Sequence, residues 1–137
     1  MTEIQRVRND LKLSEKRMRH TEGVVRAAVL LASRHFPEIV SAIRWHTTGR
    51  ENMSPLECVI YFADYIEDTR TFPACVRLRE YYEKQYASLK DKSRALNKAL
   101  VRSFDITIRD LLSEGKTVDP NTVSARNHYL RSRKKGI

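Results

Sequence analysis

The stretch Ser54-Pro55-Leu56-Glu57 constrains the fold most, because it reads as the start of a helix and of nothing else. A serine cap accepts from the first turn, and a proline at the first helical position gives up an N–H that would have no partner there. A glutamate three residues after the serine closes a capping box. The following CVIYFADYI then turns Val59, Ile60, Phe62, Ala63 and Ile66 inward. The same grammar recurs along the chain. Ser14 is placed to cap a helix carrying His20 and then Val24, Val25, Ala28, Leu31 and Ala32. Pro37 starts another turn, with Ile39, Val40, Ala42 and Ile43 facing inward before the polar HTTGRENM. Pro73 opens a helix through VRLREYYEKQYASL. Leu96, Leu100, Phe104, Ile108 and Leu111 mark a further one, which Gly115 ends at its C′ position. Asp119-Pro120 caps the last, TVSARNHYL. No segment alternates convincingly as a strand, and there is no repeat, Gly/Ser linker or low-complexity tract. The expectation is a single all-α domain over residues 1–137.

The chain is long enough for one real core and too short for two. Its apolar share of 41% and charged share of 31% fit a soluble globular protein. The longest apolar run, AAVLLA at 27–32, is far short of a membrane span. MTEIQRVRND has no apolar h-region, so no secretory signal is expected and the cytoplasm is the expected compartment. Cys58 and Cys75 lack metal-site spacing and read as buried thiols of a reducing environment. A net charge of +9 asks for an anionic partner: nucleotide phosphates, RNA or an acidic protein. Arg131, Arg133, Lys134 and Lys135 form a basic, solvated tail at 131–137; without those four the balance is still +5.

Four histidines and one aspartate raise the question of chemistry. His20 sits beside the apolar face of its helix, where a packed, hydrogen-bonded histidine is the commoner outcome than a ligand. His46 ends a helix, where the dipole favours its charged form and capping is its plain role. Asp64, flanked by Ile60, Phe62, Ala63 and Ile66, is costly to bury unless it is paired, capped or metal-bound. Arg70 or Arg50 is the ion-pair alternative. Two imidazoles and a carboxylate suit iron, manganese or zinc. His35 and His128 read as surface residues.

Three segments carry a resemblance: LSEKRMRHTEGV, AIRWHTTGRENMSPLECVIYFADYIEDTRTFP and TIRDLLSEGKTVDPNTVSARN. In this order they closely resemble the bacterial symmetrical dinucleoside tetraphosphatases of the YqeK type, metal-dependent phosphohydrolases of the all-helical HD superfamily. The resemblance implies an HD-domain-like bundle and hydrolysis of a phosphoanhydride bond, splitting diadenosine tetraphosphate into two ADP. It implies a divalent metal, iron before manganese or zinc, on His20 and Asp64, with His46 at the phosphates or a second ion. It also implies nucleotide contacts from Arg17, Tyr65, Arg70 and the segment from Thr107 to Leu112, Arg109 included. ADP, GDP or a dinucleoside polyphosphate would be the ligand, with RNA as the other anion.

One departure qualifies this. The His-Asp dyad that defines the superfamily is absent, since no such dipeptide occurs in the 137 residues. AVLLASRHFPEIVSAIRWH passes straight from the first-helix pattern to the HTTG helix, so two or three helices of the resembling family are missing, with the junction within 24–36. At most His20, His46 and Asp64 remain, enough for one weak, open site. Glu22, Glu57 and Glu67 are the available substitutes, and nothing in their spacing singles one out. The expectation is an internally truncated bundle with impaired hydrolysis, or a catalytically dead nucleotide- or RNA-binding relative. Uncovered apolar faces would favour self-association.

Overall fold

The computed structural model describes residues 14–132 together with Arg6. Among them are six α-helices and no strand: α1 Glu15–His35, α2 Pro37–Trp45, α3 Pro55–Ile66, α4 Pro73–Ser88, α5 Lys92–Ser113 and α6 Pro120–Ser132. The all-α expectation holds. The chain divides into two compact units, residues 1–40 and 41–137, with the boundary inside α2. Most of the expected basic tail lies outside the described residues; Arg131 and Ser132 close α6.

In the first unit, Ser14 caps α1 as its sequence requires, its hydroxyl accepting from the Arg17 N–H at 3.4 Å. The segment across residues 24–35 is continuous helix, so LLASRH belongs to α1, and the Phe36 N–H returns to the Ala32 carbonyl to end it. The face expected to be buried is not. Val24, Val25, Val29, Leu30 and Leu31 are each about half exposed, and Met18 is the buried residue of this helix. Amphipathic spacing builds an apolar stripe, but burial needs a second element to cover it.

The second unit holds the core, organised on α5. Ala95, Ala99, Leu100 and Phe104 of that helix are buried, and α4, α6 and α3 pack against it. The small Ala95, Ala99 and Ala125 let backbones approach, and aromatics fill the space between. Tyr61 stacks on Phe104 at 4.7 Å between ring centroids, and Phe62 meets Tyr82 edge-on at 5.3 Å. The sequence signals for helix ends are realised. Gly115 takes φ +66°, and the Lys116 N–H reaches back to Leu111. Asp119 accepts from the Asn121 N–H at 2.8 Å at the head of α6.

The inward faces of α2 and α3 differ from expectation. In α2 Ala42 is buried while Ile39 and Ile43 are exposed. In α3 the buried residues are Glu57, Cys58, Tyr61 and Phe62, whereas Val59, Ile60 and Ala63 turn outward. The helix is rotated because Glu57, a carboxylate, has four donor groups waiting inside.

Candidate functional site

Those donors fasten the loop from His46 to Met53. Arg50 gives Glu57 a forked ion pair, Nη2 to Oε2 at 2.8 Å and Nε to Oε1 at 3.2 Å. The Ser54 N–H donates to Oε2 at 2.7 Å, and the Ser41 hydroxyl makes a short bond to Oε1. Burial pushes the Glu57 carboxyl up, but bonds from Ser41, Arg50 and Ser54 and the charge of Arg50 outweigh it, leaving the group below the usual range. The capping box is thus also the anchor of the preceding loop. Farther along, the Thr122 hydroxyl donates to the Thr48 carbonyl at 2.9 Å, and the Met53 N–H donates to the Tyr129 hydroxyl at 2.9 Å. Gly49 adopts φ +69° against the Phe104 ring, where a Cβ would lie 2.7 Å from a ring carbon. Only glycine meets both conditions.

On this loop His46 is half-buried. Its Nδ1 lies 2.5 Å from the Ile43 carbonyl, in the last turn of α2. A carbonyl only accepts, so Nδ1 carries the proton and His46 caps the helix, leaving Nε2 beside the Thr47 hydroxyl at 3.3 Å.

At the other end of α3, Asp64 corrects the expectation of a buried carboxylate. Its side chain is 45% exposed, and Arg70 Nη2 stands 3.3 Å from each of its oxygens. Of the two arginines weighed as its partner, Arg70 is the one; Arg50 is committed to Glu57. Arg70 Nε also lies 4.0 Å from Glu67, whose carboxylate accepts from the Thr69 N–H and hydroxyl. These bonds hold Glu67 below the usual carboxylate range. Arg79 fixes this corner, donating to the carbonyls of Ile66 at 2.8 Å, Glu67 at 2.7 Å and Arg70 at 3.3 Å. One turn inward, the Tyr65 hydroxyl bonds that of Thr107, which donates to the Ser103 carbonyl at 3.1 Å. Burial pushes the Tyr65 phenol up, and that of Tyr61, buried beneath with no hydrogen-bond partner among the described residues, well up.

Asp64, Arg70, Tyr65 and Thr107 are therefore linked through the C-terminal end of α3. Arg109 is exposed on α5, two residues and some 200° of helix from Thr107, so the two face different sides. Arg17 and His20 are exposed on α1, in the first unit. Among the described residues, no three His, Cys, Asp or Glu side chains gather where one ion would reach them. Glu57 is consumed by Arg50 and Ser41, and Asp64 has both oxygens facing Arg70. As arranged, these residues do not fit a resident metal. Arg79 and Ser41 escaped the sequence reading: an arginine inside one helix gives no sign that it caps another, and a serine gives none that its partner is a buried carboxylate.

No family model matches the chain. Over 97 residues it is 37% identical to the "Bis(5'-nucleosyl)-tetraphosphatase, symmetrical" of Halalkalibacterium halodurans, covering 71% of this chain and 46% of that one. The Bacillus subtilis protein of the same name is 39% identical over 90 residues, 66% of this chain and 43% of its own length. The Staphylococcus aureus one is 33% identical over 92 residues, 67% and 43%. A crystal structure from Clostridium acetobutylicum, described as a predicted HD superfamily hydrolase involved in NAD metabolism, superposes with a TM-score of 0.58 at 40% identity. It covers 74% of this chain and 51% of its own. The chain spans about half the length of the curated relatives it matches.

Proposed function

We infer that this chain, related by sequence to the symmetrical bis(5'-nucleosyl)-tetraphosphatases and by fold to an HD superfamily hydrolase, recognises the phosphates of a nucleoside diphosphate or dinucleoside polyphosphate. The observation that carries this is Arg70. Its guanidinium is 38% exposed, aimed by Asp64 and rooted by Arg79 on its own carbonyl. A planar fork held at a surface by a weak, half-solvated ion pair can exchange that carboxylate for phosphate oxygens. Tyr65 and Thr107 lie beside it, and Arg17 is proposed as a nucleotide contact on the resemblance alone.

The reaction assigned is hydrolysis of diadenosine tetraphosphate to two ADP, at a rate orders of magnitude below that of a full-length relative. A divalent ion, iron or else manganese or zinc, would have to displace Arg70 to reach Asp64, so its binding is weak. No step is assigned to it here. Removing groups that position a nucleophile costs several kcal/mol of barrier, and each ~1.4 kcal/mol is about tenfold. We further assign the lost length to an internal deletion with its junction within 24–36, which sequencing of the locus tests. The exposed stripe of α1 is the surface for self-association, read out by concentration-dependent mass in solution.

Calorimetry at low salt tests the reading. ADP should release heat with the wild type, and Arg70→Ala and Arg17→Ala should each weaken it several-fold. No heat, or variants with unchanged affinity, rejects the pocket. The net charge of +9 favours a second reading, an inactive RNA-binding relative. In that case RNA affinity falls steeply with salt and ignores Arg70→Ala. Turnover of diadenosine tetraphosphate at a full-length relative's rate would reject both the impairment and this second reading.

A further inference from the structure

A cavity of about 770 Å³ opens at the other end of α3, within the second unit, and nothing above uses it. Its apolar wall is Met53, Cys58, Val59, Leu96 and the ring of Tyr129. We propose that it binds an apolar monocarboxylate, a fatty or aromatic acid whose carboxylate meets Arg131 at the rim.

The size lies within the ~300–1,000 Å³ range of small-molecule sites, and such sites are mainly apolar with a few placed polar groups. The wall is pre-formed. Tyr129, buried in the core, has its hydroxyl engaged by the Met53 backbone, accepting from the N–H at 2.9 Å and donating to the carbonyl at 3.4 Å. The phenol is therefore satisfied, and the ring is what the cavity meets. Cys58 Sγ sits 3.3 Å from the same hydroxyl, and burial pushes both the thiol and the phenol up, so the wall stays uncharged at neutral pH. Among the described residues the lining contains no Asp or Glu, and its charged groups are Arg131 and, when protonated, His128, both in the last turns of α6. Ser132 is turned away, donating to the His128 carbonyl at 2.9 Å. A guanidinium at the edge of an apolar bowl matches a carboxylate on an apolar body. A polyphosphate would instead set its charges against the apolar wall of Met53, Val59 and Leu96. The cavity is thus chemically distinct from the Arg70 corner, and the proposal does not rest on the phosphate reading.

The probe is decanoate, titrated below its micelle concentration into the full chain with methyl-labelled Met, Leu and Val, followed by NMR. Decyltrimethylammonium, with the same tail and the opposite head charge, is the control. Decanoate should shift the Met53, Val59 and Leu96 methyls and bind at least about tenfold tighter than the cation. Arg131→Glu should abolish or reverse that preference. Val59→Trp, at a half-exposed position at the cavity, should fill the space and lower decanoate affinity about tenfold or more while leaving the fold intact. If the shifts fall instead on Val24, Val29 and Leu30 of α1, binding is to exposed apolar surface only and the proposal is overturned. It is equally overturned if both amphiphiles bind alike, or if neither substitution changes decanoate affinity.

Discussion

Glu57→Gln isolates the energetic centre of the second unit. The wild-type carboxylate is 1% exposed and accepts from Arg50, Ser41 and the Ser54 N–H. Glutamine keeps the volume but replaces one acceptor oxygen with an NH₂ group. Arg50 donates to both oxygens, so that group faces the guanidinium in either orientation, donor against donor. Breaking a buried pair from one side costs about 3–5 kcal/mol. Arg50 is 36% exposed and regains water when released, so the cost falls to or below the lower end of that range, roughly 2–3 kcal/mol. For a unit of ~100 residues each kcal/mol moves Tm by roughly 4–8 °C, so circular dichroism at pH 7 should show a drop on the order of 10–20 °C.

The same change carries a signature in pH. The folded carboxyl titrates below its ordinary 4.5, so its contribution is complete at neutral pH and is lost as pH falls through the folded value. The wild-type advantage over Glu57→Gln should therefore hold above about pH 5 and close on acidification. Glu67→Gln, an exposed carboxylate bonded to Thr69, serves as control and should leave unfolding near the wild type. Two results would refute the reasoning: a Tm for Glu57→Gln within about 2 °C of wild type, or a gap indifferent to pH.

The two left-handed glycines separate strain from crowding. Gly115→Ala, with open space around its Cβ, should cost about 1–2 kcal/mol, whereas Gly49→Ala, driven into Phe104 as well, should cost about 3 or more in urea unfolding. Tyr129→Phe strands the buried Met53 N–H and should cost about 1–3 kcal/mol, with a faster local hydrogen exchange at Met53.

Helix ends were legible in the sequence because their chemistry is local. Ser14, Ser54, Pro73, Gly115 and Asp119 each act on backbone within a few residues, and each does in the structure what its spacing requires. The short motif around His46 was legible as a site but not as a geometry. What holds it is Glu57, Thr122, Phe104 and Tyr129, contributed by α3, α5 and α6, and no spacing within HTTGR announces partners so far away. Asp64 shows the limit from the other side. Its apolar neighbours in sequence suggested burial, yet in a helix residues i±1 lie on other faces, and the residue that answers it is Arg70, beyond the helix end.

Periodicity reports the phase of an apolar stripe, not whether anything covers it. In α3 apolar spacing points Val59, Ile60, Phe62, Ala63 and Ile66 inward, and of these Phe62 is buried and Ile66 half-buried while Val59, Ile60 and Ala63 are exposed. Glu57 is inside because Arg50, Ser41 and the Ser54 N–H offset the cost of burying its charge, while Val59 turned outward forgoes roughly 1.5–3 kcal/mol. In α1 the expected face is not buried: Val24, Val25 and Leu31 remain half exposed, and Met18 is the buried residue. What covers that stripe is therefore not written in its spacing, which reads the same whether or not a second element lies against it.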